Sequence, residues 1–433
     1  MRDYTFILRE QKKVVEQMLT SSQLVSRELR EQAQAILSSR LAKVITGVRR
    51  CGKSTFALQL VASKGGYGYI NFDDEKLVGM ETEELNTVLQ SVYEVYGKFS
   101  YLILDEVQNV EKWELFVNRL QREGKNLVVT GSNAKLLSRE LATHLTGRQI
   151  SLELFPFSFK EFLSAKGIVL HQVELTEDRG IIQQMLAQYL EMGGFPEVLQ
   201  EPQPKLYLQG LYDTIIMKDV LLRYHIRRAR TFRDIAVFLM NNFAQELSFN
   251  RLKKAFALGS DHTAKNYVGY LEETYLIFLV ERFSYKKRQS LVENRKVYGI
   301  DTGLMVAVGT QYNANWSHLY ENVVALELLR RKTRMANFEF FYWKNPQQEE
   351  VDFVIKKGMK ITCLLQVCYD LNRMETKTRE VRALLKAKVE LKCSLLVVLT
   401  KEYEGRENVE WFGLKGEVVY VPLWKWLLNE QMF

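Results

Sequence analysis

The chain has 433 residues, 47% of them hydrophobic and 26% charged, which is the composition of an ordinary globular protein with room for about two to four domains. No stretch approaches the roughly 18–20 uninterrupted apolar residues of a membrane helix, and the charged N-terminus lacks the apolar core of a secretory signal, so we expect a cytoplasmic protein with no membrane partner. The net charge is +8, and neither the four cysteines nor the five histidines have a spacing typical of a zinc site, so free buried thiols are expected.

The first predicted elements surround a glycine-rich loop. A helical lead-in over residues 1–40 precedes a short predicted strand, Lys43–Thr46, and the apolar residues of 56–61 are typical of a helix that packs on a sheet. Between them, GVRRCGKS at 47–54 matches the phosphate-binding pattern GxxxxGK[ST] in full, in the strand–loop–helix context that the pattern requires. The residues predicted to bind nucleotide are Gly47, Val48, Arg49, Arg50, Cys51, Gly52, Lys53, Ser54 and Thr55.

Individual residues of this loop have different predicted roles. Its backbone N–H groups and the following helix N-terminus would surround a phosphate. Lys53 is expected to reach the β- and γ-phosphates and Ser54 to offer its hydroxyl to Mg²⁺. Arg49 and Arg50 are not needed for phosphate binding and are expected to contact a neighbouring domain or subunit, whereas modification of the Cys51 thiol is expected to affect nucleotide binding.

A second predicted strand ends in two carboxylates. The apolar run Tyr101–Leu104 is typical of a buried parallel strand, and Asp105 and Glu106 follow it directly. Ligands of parallel sheets bind at the carboxyl ends of the strands. Asp105 is therefore predicted to hold the hydrated Mg²⁺ and Glu106 to activate the attacking water. A helix cap is the alternative role for an acidic pair, but the phosphate-binding pattern upstream favours hydrolysis.

Further polar residues follow the run Asn126–Thr130, which is predicted as another strand, as is Gly68–Phe72. Ser132 and Asn133 come directly after 126–130, where they are expected to lie beside the γ-phosphate and to act in catalysis. Arg148 is the candidate for a charge-stabilising arginine, acting within its own chain or across a subunit boundary of a homo-oligomer. A surface arginine after a turn is the alternative for this residue.

Together these segments resemble the AAA-type P-loop ATPases, and more narrowly a bacterial and archaeal family of predicted ATPases. The resemblance is carried by TGVRRCGKST, LILDEVQNVEKWE, VVTGSNAKLLSRELATHLTGR and LELFPFSFKEFL, the last predicted as a strand that leads into a helix. It implies an α/β fold with a parallel-sheet P-loop core over 1–165, ATP rather than GTP, and Mg²⁺ as cofactor. It also implies a C-terminal region of poorly defined function.

The middle of the chain, 166–296, carries the excess positive charge. Residues 218–296 contain 16 Lys and Arg against 8 Asp and Glu, and this excess of 8 positive charges equals the net charge of the whole protein. Tyr212–Arg230 is predicted as one helix of a helical lid, with Met192–Pro196 as a turn before it. A localised basic segment favours nucleic acid as partner, although a solvated helix face has the same composition.

The end of this basic region is predicted to be a winged helix, a segment that the resembled family also carries. Residues 249–256 and 262–273 have the pattern of two helices around a tight turn, and a strand and a basic turn follow. If it binds double-stranded DNA, Thr263, Lys265 and Asn266 would enter the major groove. The predicted phosphate contacts are Arg251, Lys253, Lys254, Lys286, Lys287 and Arg288. A lid or a protein-contact module is the alternative.

The C-terminal region, 297–433, resembles the PD-(D/E)xK nuclease fold, a small α/β restriction-endonuclease-like domain. Asp352 fits the first metal-binding acid, and Glu321 or Glu327 is the candidate for a further ligand. The next strand departs from the pattern, because Gln366 and Cys368 stand where Glu and Lys are expected. We therefore expect an inactive nuclease-like domain, unless Lys356, Lys357 or Lys360 replaces the missing cation.

Three functions are compatible with this organisation. The leading one is an Mg²⁺-dependent ATP hydrolase whose cycle drives a DNA-engaging C-terminal half. The second is a signalling or scaffold ATPase that switches protein contacts and binds no nucleic acid. The third is an active ATP-dependent nuclease.

Overall fold

A computed structural model describes residues 2–20, 24–132, 148–168, 176–285, 294–309, 315–371 and 374–429. Within these ranges, no helix has both the length and the apolar character needed to cross a membrane. The chain divides into two compact units, the first formed by Met1–Phe157 with Glu273–Tyr275, and the second by Ser158–Glu272 with Leu276–Phe433. The three predicted domains, with boundaries at 165/166 and 296/297, stay a prediction.

The first unit is built on a parallel sheet. Its described strands are β1 (Ala42–Thr46), β2 (Tyr67–Asn71), β3 (Tyr101–Asp105), β4 (Asn126–Gly131) and β5 (Gln149–Glu153). They lie in the order β2-β3-β4-β1-β5, and every pair is parallel. All five residues of β1 are buried, as expected for a central strand covered on both faces. The predicted α/β class with a P-loop core is confirmed.

Helices supply that cover. They are α1 (Tyr4–Thr20), α2 (Arg30–Leu37), α3 (Lys53–Val61), α4 (Leu85–Tyr96) and α5 (Trp113–Arg122). Side chains of α1, α4 and α5 join the strands in one apolar core that includes Leu8, Val88 and Trp113. This packing fixes the carboxyl ends of β1, β3 and β4 next to one another, which is where the polar motifs of the sequence occur.

The segment after β5 differs from the prediction. The strand ends at Glu153 instead of beginning at 154, and residues 154–157 are irregular. Pro156 has no N–H to donate to a strand ladder, which accounts for the early end. The predicted helix follows as α6 (Phe159–Ala165), and Ser158 caps it by accepting a hydrogen bond from the N–H of Glu161.

The second unit begins with helices. These are α6, α7 (Thr176–Met192), α8 (Pro204–Thr214), α9 (Ala229–Asn241), α10 (Phe249–Ala255) and α11 (Asp261–Glu273, whose last residue belongs to the first unit). The single helix predicted over 212–230 is wrong. The chain instead passes from α8 into a π-helix, Ile215–Leu222, and then leaves helical geometry near His225, which has a left-handed φ of 49°.

Two sheets complete the second unit among the described residues. The first contains β6 (Gln245–Leu247), β7 (Ile277–Val280) and β8 (Arg295–Gly299), antiparallel in the order β6-β8-β7. The second contains β9 (Phe338–Lys344), β10 (Glu350–Lys357), β11 (Lys360–Cys368), β12 (Leu396–Thr400), β13 (Gly405–Trp411) and β14 (Leu414–Pro422), in the order β13-β14-β12-β11-β10-β9.

Four more helices accompany these sheets in the described part of the unit: α12 (Thr302–Val308), α13 (Trp316–Arg334), α14 (Met374–Leu391) and α15 (Leu423–Leu428). Helix α14 contributes Leu384 and Leu385 to a core with Val354, Leu364 and Val398 of the larger sheet. This sheet is mixed, because β9, β10 and β11 are antiparallel while β11 pairs β12 in parallel. The C-terminal region therefore contains an α/β sheet, as the sequence predicts.

Candidate functional site

The glycine-rich loop follows β1 and leads directly into α3, as predicted. A Cβ on Gly47 would lie 2.0 Å from the carbonyl oxygen of Leu154, so only glycine fits there. Gly52 has a φ of 94°, in the left-handed region, and stands immediately before α3. The two glycines therefore shape a loop whose backbone turns toward the first N–H groups of a helix, the arrangement that binds phosphate.

Lys53 is buried at the start of α3 and contacts two oxygen groups. Its Nζ donates to the carbonyl oxygen of Val48 at 3.1 Å and lies 3.3 Å from Oε1 of Glu106. Burial by itself would lower the pKa of this ammonium, but the neighbouring carboxylates, Glu106 first, outweigh that effect and raise it. The side chain therefore stays positively charged, at the point where the loop ends and α3 begins.

Asp105 is the centre of a hydroxyl cluster at the end of β3. Ser54 donates to its Oδ1 at 2.9 Å, Tyr69 donates to its Oδ2 at 2.7 Å, and the Thr130 hydroxyl also donates to Oδ1. Burial, followed by the charge of Glu106, raises the pKa of this carboxyl group, and the three hydroxyls oppose the shift. Three donors from three different elements fix its orientation.

The adjacent residue, Glu106, turns away from Asp105. Its backbone adopts a left-handed φ of 50°, and its N–H donates to the Thr130 hydroxyl at 3.0 Å. Its carboxylate accepts hydrogen bonds from Gln108 and, at 3.2 Å, from Ser132. Burial would raise the pKa of Glu106, but Lys53 and the Gln108 hydrogen bond lower it overall, so the carboxylate is ionised at neutral pH.

Ser54 and Asp105 together have the donor chemistry for Mg²⁺. Both present oxygen atoms, they are in contact, and they lie beside the lysine that would bind the β- and γ-phosphates. Mg²⁺ is typically held by one or two protein oxygens together with substrate phosphates rather than by a complete cage of side chains. The residues present therefore fit the cofactor that the sequence predicts.

Arg49, Arg50 and Thr55 complete the loop. Arg49 forms an ion pair with Asp73 at 3.2 Å, and Arg50 has a left-handed φ of 67° on the exposed side of the loop. Thr55 donates to the sulfur of Met18. Asp73 belongs to the same unit as Arg49, so the expected contact of the arginines with a neighbouring domain or subunit stays a prediction.

Cys51 does not have the environment of a reactive thiol. Its side chain is fully buried, its Sγ donates to the carbonyl oxygen of Leu154 at 3.3 Å, and burial raises its pKa. A protonated, inaccessible thiol reacts slowly. The predicted sensitivity to thiol modification is therefore not supported, whereas all four cysteines are free and buried as predicted.

One of the predicted catalytic residues, Arg148, is not brought into this site by its own chain. Arg148 precedes β5, and its carbonyl oxygen accepts from Ala42 N, so it lies at the amino end of β1 while the phosphate-binding loop follows the carboxyl end. Five strand residues separate these edges by about 16 Å. A role within its own chain is thus wrong, and a role across a subunit boundary stays a prediction. Asn133 lies outside the described residues.

Sequence reasoning missed several residues of the site. Tyr69, Thr130 and Gln108 all contact the acidic pair. Arg27 is also buried, and its guanidinium donates to the carbonyl oxygens of Cys51, at 3.0 Å, and of Phe155. Thr130 and Gln108 are polar residues near motif positions and could have been noticed. Tyr69 and Arg27 carry no local signal, because only the sheet register and the tertiary fold bring them here.

The second unit contains a separate cluster of buried polar residues. Glu321, Asp352, Gln366 and Cys368, the four positions predicted for the degenerate nuclease site, line one cavity of about 840 Å³. Glu327 does not belong to it, because it lies six residues along α13 from Glu321 and pairs with Arg330, Arg331 and Arg334. Helical geometry places it about 240° around the axis.

The cation in this cluster is Lys296 of β8. Its Nζ lies 2.8 Å from Glu321 and 3.5 Å from Asp352, and it also pairs with Glu350. Lys356 instead pairs with Glu339, and Lys357 and Lys360 are exposed at the β10–β11 turn, so none of the three replaces the missing lysine. Sequence reasoning missed Lys296, because it comes from another sheet and no motif marks it; the inactivity of the predicted nuclease-like site stays a prediction.

The predicted DNA contacts form a partly exposed surface on α10 and α11. Four of them are exposed: Arg251, Lys254, Lys265 and Asn266. Thr263 is half-buried, and its hydroxyl shares a hydrogen bond with the hydroxyl of Ser260. Lys253 pairs with Asp261 at 3.4 Å, a surface contact of small energy. The predicted wing residues Lys286, Lys287 and Arg288 lie outside the described residues.

Three segments of the chain match known protein families. Residues 39–163 match the model of an AAA domain, and residues 183–315 and 316–424 match two domains of unknown function, DUF8612 and DUF4143. The chain is 36% identical to the uncharacterized protein MJ1544 of Methanocaldococcus jannaschii, over 89% of this chain and 88% of that protein. It is 29% identical to an uncharacterized protein of Haemophilus influenzae, over 88% of this chain and 93% of that protein.

Among solved structures, the Walker-type ATPase PABY2304 of Pyrococcus abyssi is similar to this chain. The match covers 66% of this chain and 96% of that protein, with 13% identity and a TM-score of 0.42. With the AAA domain match and the parallel sheet described above, the first unit is an AAA-type P-loop domain.

Proposed function

The chain belongs to the same protein family as MJ1544 and carries an AAA domain, and on this premise we propose that it is an Mg²⁺-dependent ATP hydrolase whose nucleotide state is coupled to a DNA-engaging C-terminal half. The observation that carries the proposal is the meeting of Lys53, Ser54 and Asp105 with Glu106 at one edge of a parallel sheet. These are the groups that phosphoryl transfer to water requires.

Binding of ATP changes the partners of Lys53. In the structure the ammonium is held by the Val48 carbonyl and the Glu106 carboxylate, and the triphosphate offers it oxygens of higher charge density. As Lys53 moves to the β- and γ-phosphates, Glu106 loses its counter-ion. Its carboxylate is then free to accept a proton from a water molecule near the γ-phosphate, with Ser132 fixing the second carboxylate oxygen.

Ser54 and Asp105 would hold Mg²⁺. When bound, the ion would offset the negative charge that develops during phosphoryl transfer. Tyr69 and Thr130 keep the Asp105 carboxylate in place, because each donates a hydrogen bond to it from a neighbouring strand. The site thus has one residue for water activation and a separately supported residue for metal binding.

The hydrolytic part of the proposal is tested with two variants of the site. Lys53→Ala is expected to lower ATP hydrolysis by about 100-fold or more, because a transition-state charge loses its partner. Glu106→Gln is expected to bind ATP with little change and to hydrolyse it about 100-fold more slowly. Lys64→Ala, an exposed lysine just after α3, is the matched control. Normal hydrolysis by both site variants would refute the assignment.

The DNA-engaging part is supported by the topology and charge of the second unit. Helix α9, β6, α10, α11, β7 and β8 follow one another with the sheet order β6-β8-β7, and this is the helix-and-hairpin arrangement of a winged helix. The second helix of the pair exposes Lys265 and Asn266 on one face, and Arg251 and Lys254 are exposed on the helix before it. We propose that this face contacts double-stranded DNA.

A charge-reversal pair tests this surface. Lys254→Glu with Lys265→Glu is expected to weaken binding to double-stranded DNA and to reduce the slope of log affinity against log salt by about 2, since roughly 0.9 counterions are released per phosphate contact. The matched control is Lys357→Glu with Lys360→Glu, two exposed lysines of the same unit. If DNA neither binds nor stimulates ATP hydrolysis at any salt concentration, the protein switches protein contacts instead.

A further inference from the structure

The carboxylate cluster of the second unit raises the question of whether it can hold a divalent metal. A nuclease of the fold that the sequence resembles would use the acids at these positions for Mg²⁺, with a lysine near the attacking water. Here Glu321 and Asp352 stand at the mouth of the cavity, and both face the ammonium of Lys296. The fit of a metal therefore depends on which carboxylate oxygens remain available.

The protein already uses the oxygen atoms of Asp352. Its Oδ1 faces Lys296 at 3.5 Å, and its Oδ2 accepts a hydrogen bond from the N–H of Val367 at 2.9 Å. Gln366, which stands where the second acid would be, accepts from the N–H of Asp352 through its amide oxygen and donates to Glu380 through its amide nitrogen. The amide thus connects the backbone of Asp352 to the carboxylate of Glu380.

Glu321 has the same kind of environment. Its Oε1 accepts from Lys296 at 2.8 Å and from the Tyr298 hydroxyl at 2.7 Å. Three other carboxylates around the cavity also have cationic partners: Glu350 with Lys296 and Lys344, Glu380 with Arg379, and Glu349 with Arg382 and Lys386. Across the described residues, no group of three or more His, Cys, Asp or Glu side chains is arranged to hold a metal ion.

We propose that the ammonium of Lys296 occupies the place that a divalent cation takes in a metal-dependent nuclease, so that this site binds no metal and the C-terminal unit cleaves no phosphodiester by metal catalysis. The ammonium instead connects β8 of the smaller sheet to helix α13 and to strand β10 of the larger sheet. Glu321 lies on α13, and Glu350 and Asp352 lie on β10. Lys296 is 3% exposed and pairs with all three carboxylates, so an ion that binds to the same oxygens must displace it.

The proposal is tested by counting bound Mn²⁺ on the full chain without nucleotide, by electron paramagnetic resonance. The wild type and Asp352→Asn are expected to bind the same number of ions, because the variant removes no metal ligand. Any ion at the first unit is common to both and cancels. If Asp352→Asn binds one ion fewer than the wild type, the second unit holds a metal and the proposal is overturned.

Removing the ammonium gives the complementary result. Lys296→Met keeps the length of the side chain and leaves Glu321, Glu350 and Asp352 without their shared cation, so it is expected to bind one Mn²⁺ more than the wild type and to gain thermal stability with Mn²⁺. A folded variant with no additional ion would contradict the proposal. Lys296→Met with Glu321→Gln leaves two carboxylates rather than three without the shared cation. This double variant is the one to use if the single substitution does not fold.

Plasmid cleavage separates the proposal from the active-nuclease alternative. The wild type is expected to leave supercoiled plasmid intact with Mg²⁺ or Mn²⁺, with and without ATP. Cleavage that is lost in Asp352→Asn but kept in Lys53→Ala would overturn the proposal and assign the reaction to the second unit. This outcome is independent of ATP hydrolysis, because Asp352 belongs to a different unit from the phosphate-binding loop.

Discussion

Each unit of this protein buries one lysine among carboxylates, and the two lysines have different partners. Lys53 of the first unit is held by one carboxylate, Glu106 at 3.3 Å, and by a backbone carbonyl. Lys296 of the second unit is held by three carboxylates. An ammonium with one acidic partner can be transferred to a phosphate, whereas an ammonium with three is fixed. The number of partners, and not burial, distinguishes a binding lysine from a structural one.

The carboxyl groups beside these two lysines differ in the direction of their pKa shifts. Burial would raise the pKa of Glu106, but the charge of Lys53 lowers it overall, so this carboxylate stays ionised. Burial, together with the charge of Glu321, raises the pKa of Asp352 well above its usual range. The neighbours thus act in opposite directions: Lys53 favours the charged form of Glu106, and Glu321 disfavours the charged form of Asp352.

The largest expected effect is on stability when each lysine is removed. Lys296→Met is expected to destabilise the second unit by about 3–5 kcal/mol, because two buried acids, Glu321 and Asp352, lose their cation. Lys53→Met is expected to cost only about 1 kcal/mol in the nucleotide-free protein, since Glu106 keeps its hydrogen bonds from Gln108 and Ser132. Denaturant unfolding, followed separately for the two units, measures both values, with Lys332→Met on the exposed side of α13 as control. Equal losses would remove the distinction between the lysines.

A second prediction adds an acid to the crowded cluster. Gln366→Glu replaces the amide that donates to Glu380 by a carboxylate that repels it, and we expect a loss of about 1–3 kcal/mol from the second unit. Gln184→Glu, on the exposed side of α7, makes the same chemical change away from the cavity and should be close to neutral. Thermal unfolding at neutral pH compares the two. A stable Gln366→Glu variant would mean that the cluster accepts more negative charge than we infer.

A third prediction concerns the support of Asp105 in the first unit. Tyr69→Phe removes one hydrogen bond to this carboxylate, worth about 1 kcal/mol, and we expect the Mg²⁺ concentration for half-maximal ATP hydrolysis to rise about 5-fold while the rate at saturating Mg²⁺ is little changed. Tyr67→Phe, two residues earlier on β2, is the control. A purely structural role of Tyr69 would instead change thermal stability and leave the Mg²⁺ requirement unaltered.

The smallest expected effect is the pH dependence of the Lys53–Glu106 pair. Because the folded protein lowers the pKa of Glu106, this carboxylate stabilises the first unit above its ordinary pKa of about 4.5, and the stabilisation is lost as the pH falls below that value. The difference in unfolding free energy between the wild type and Glu106→Gln should therefore shrink between pH 7 and pH 3.5. A difference that is constant over this range would show that the pair contributes nothing to folding.

The sequence was sufficient for the parts of the first unit that are continuous along the chain. The phosphate-binding loop has its strand before it and its helix after it, and the acidic pair directly follows an apolar run, so local pattern determines both positions. Tyr69 and Thr130 could not be derived in this way, because they reach Asp105 from β2 and β4 through the register of the sheet.

The second unit was harder to predict for the same physical reason. Lys296 lies on β8, and its acidic partners lie 25, 54 and 56 residues further along the chain, on or beside other elements. The sequence shows Gln366 and Cys368 where the resembled pattern has Glu and Lys, but nothing local indicates which lysine lies near them. The break of the helix predicted over 212–230 was also missed, since π-helical and α-helical runs have nearly the same apolar pattern.

The close approach of Gly47 to Leu154 has a mechanical consequence. The loop is fastened to residues 154–155 by the Cys51 thiol, by Arg27 and by the glycine contact itself, and the chain passes from the first unit to the second only three residues later. A displacement of the loop by its ligand must either move residues 154–155 with it or break these two buried hydrogen bonds. The loop is thus attached to the residues that directly precede the second unit along the chain.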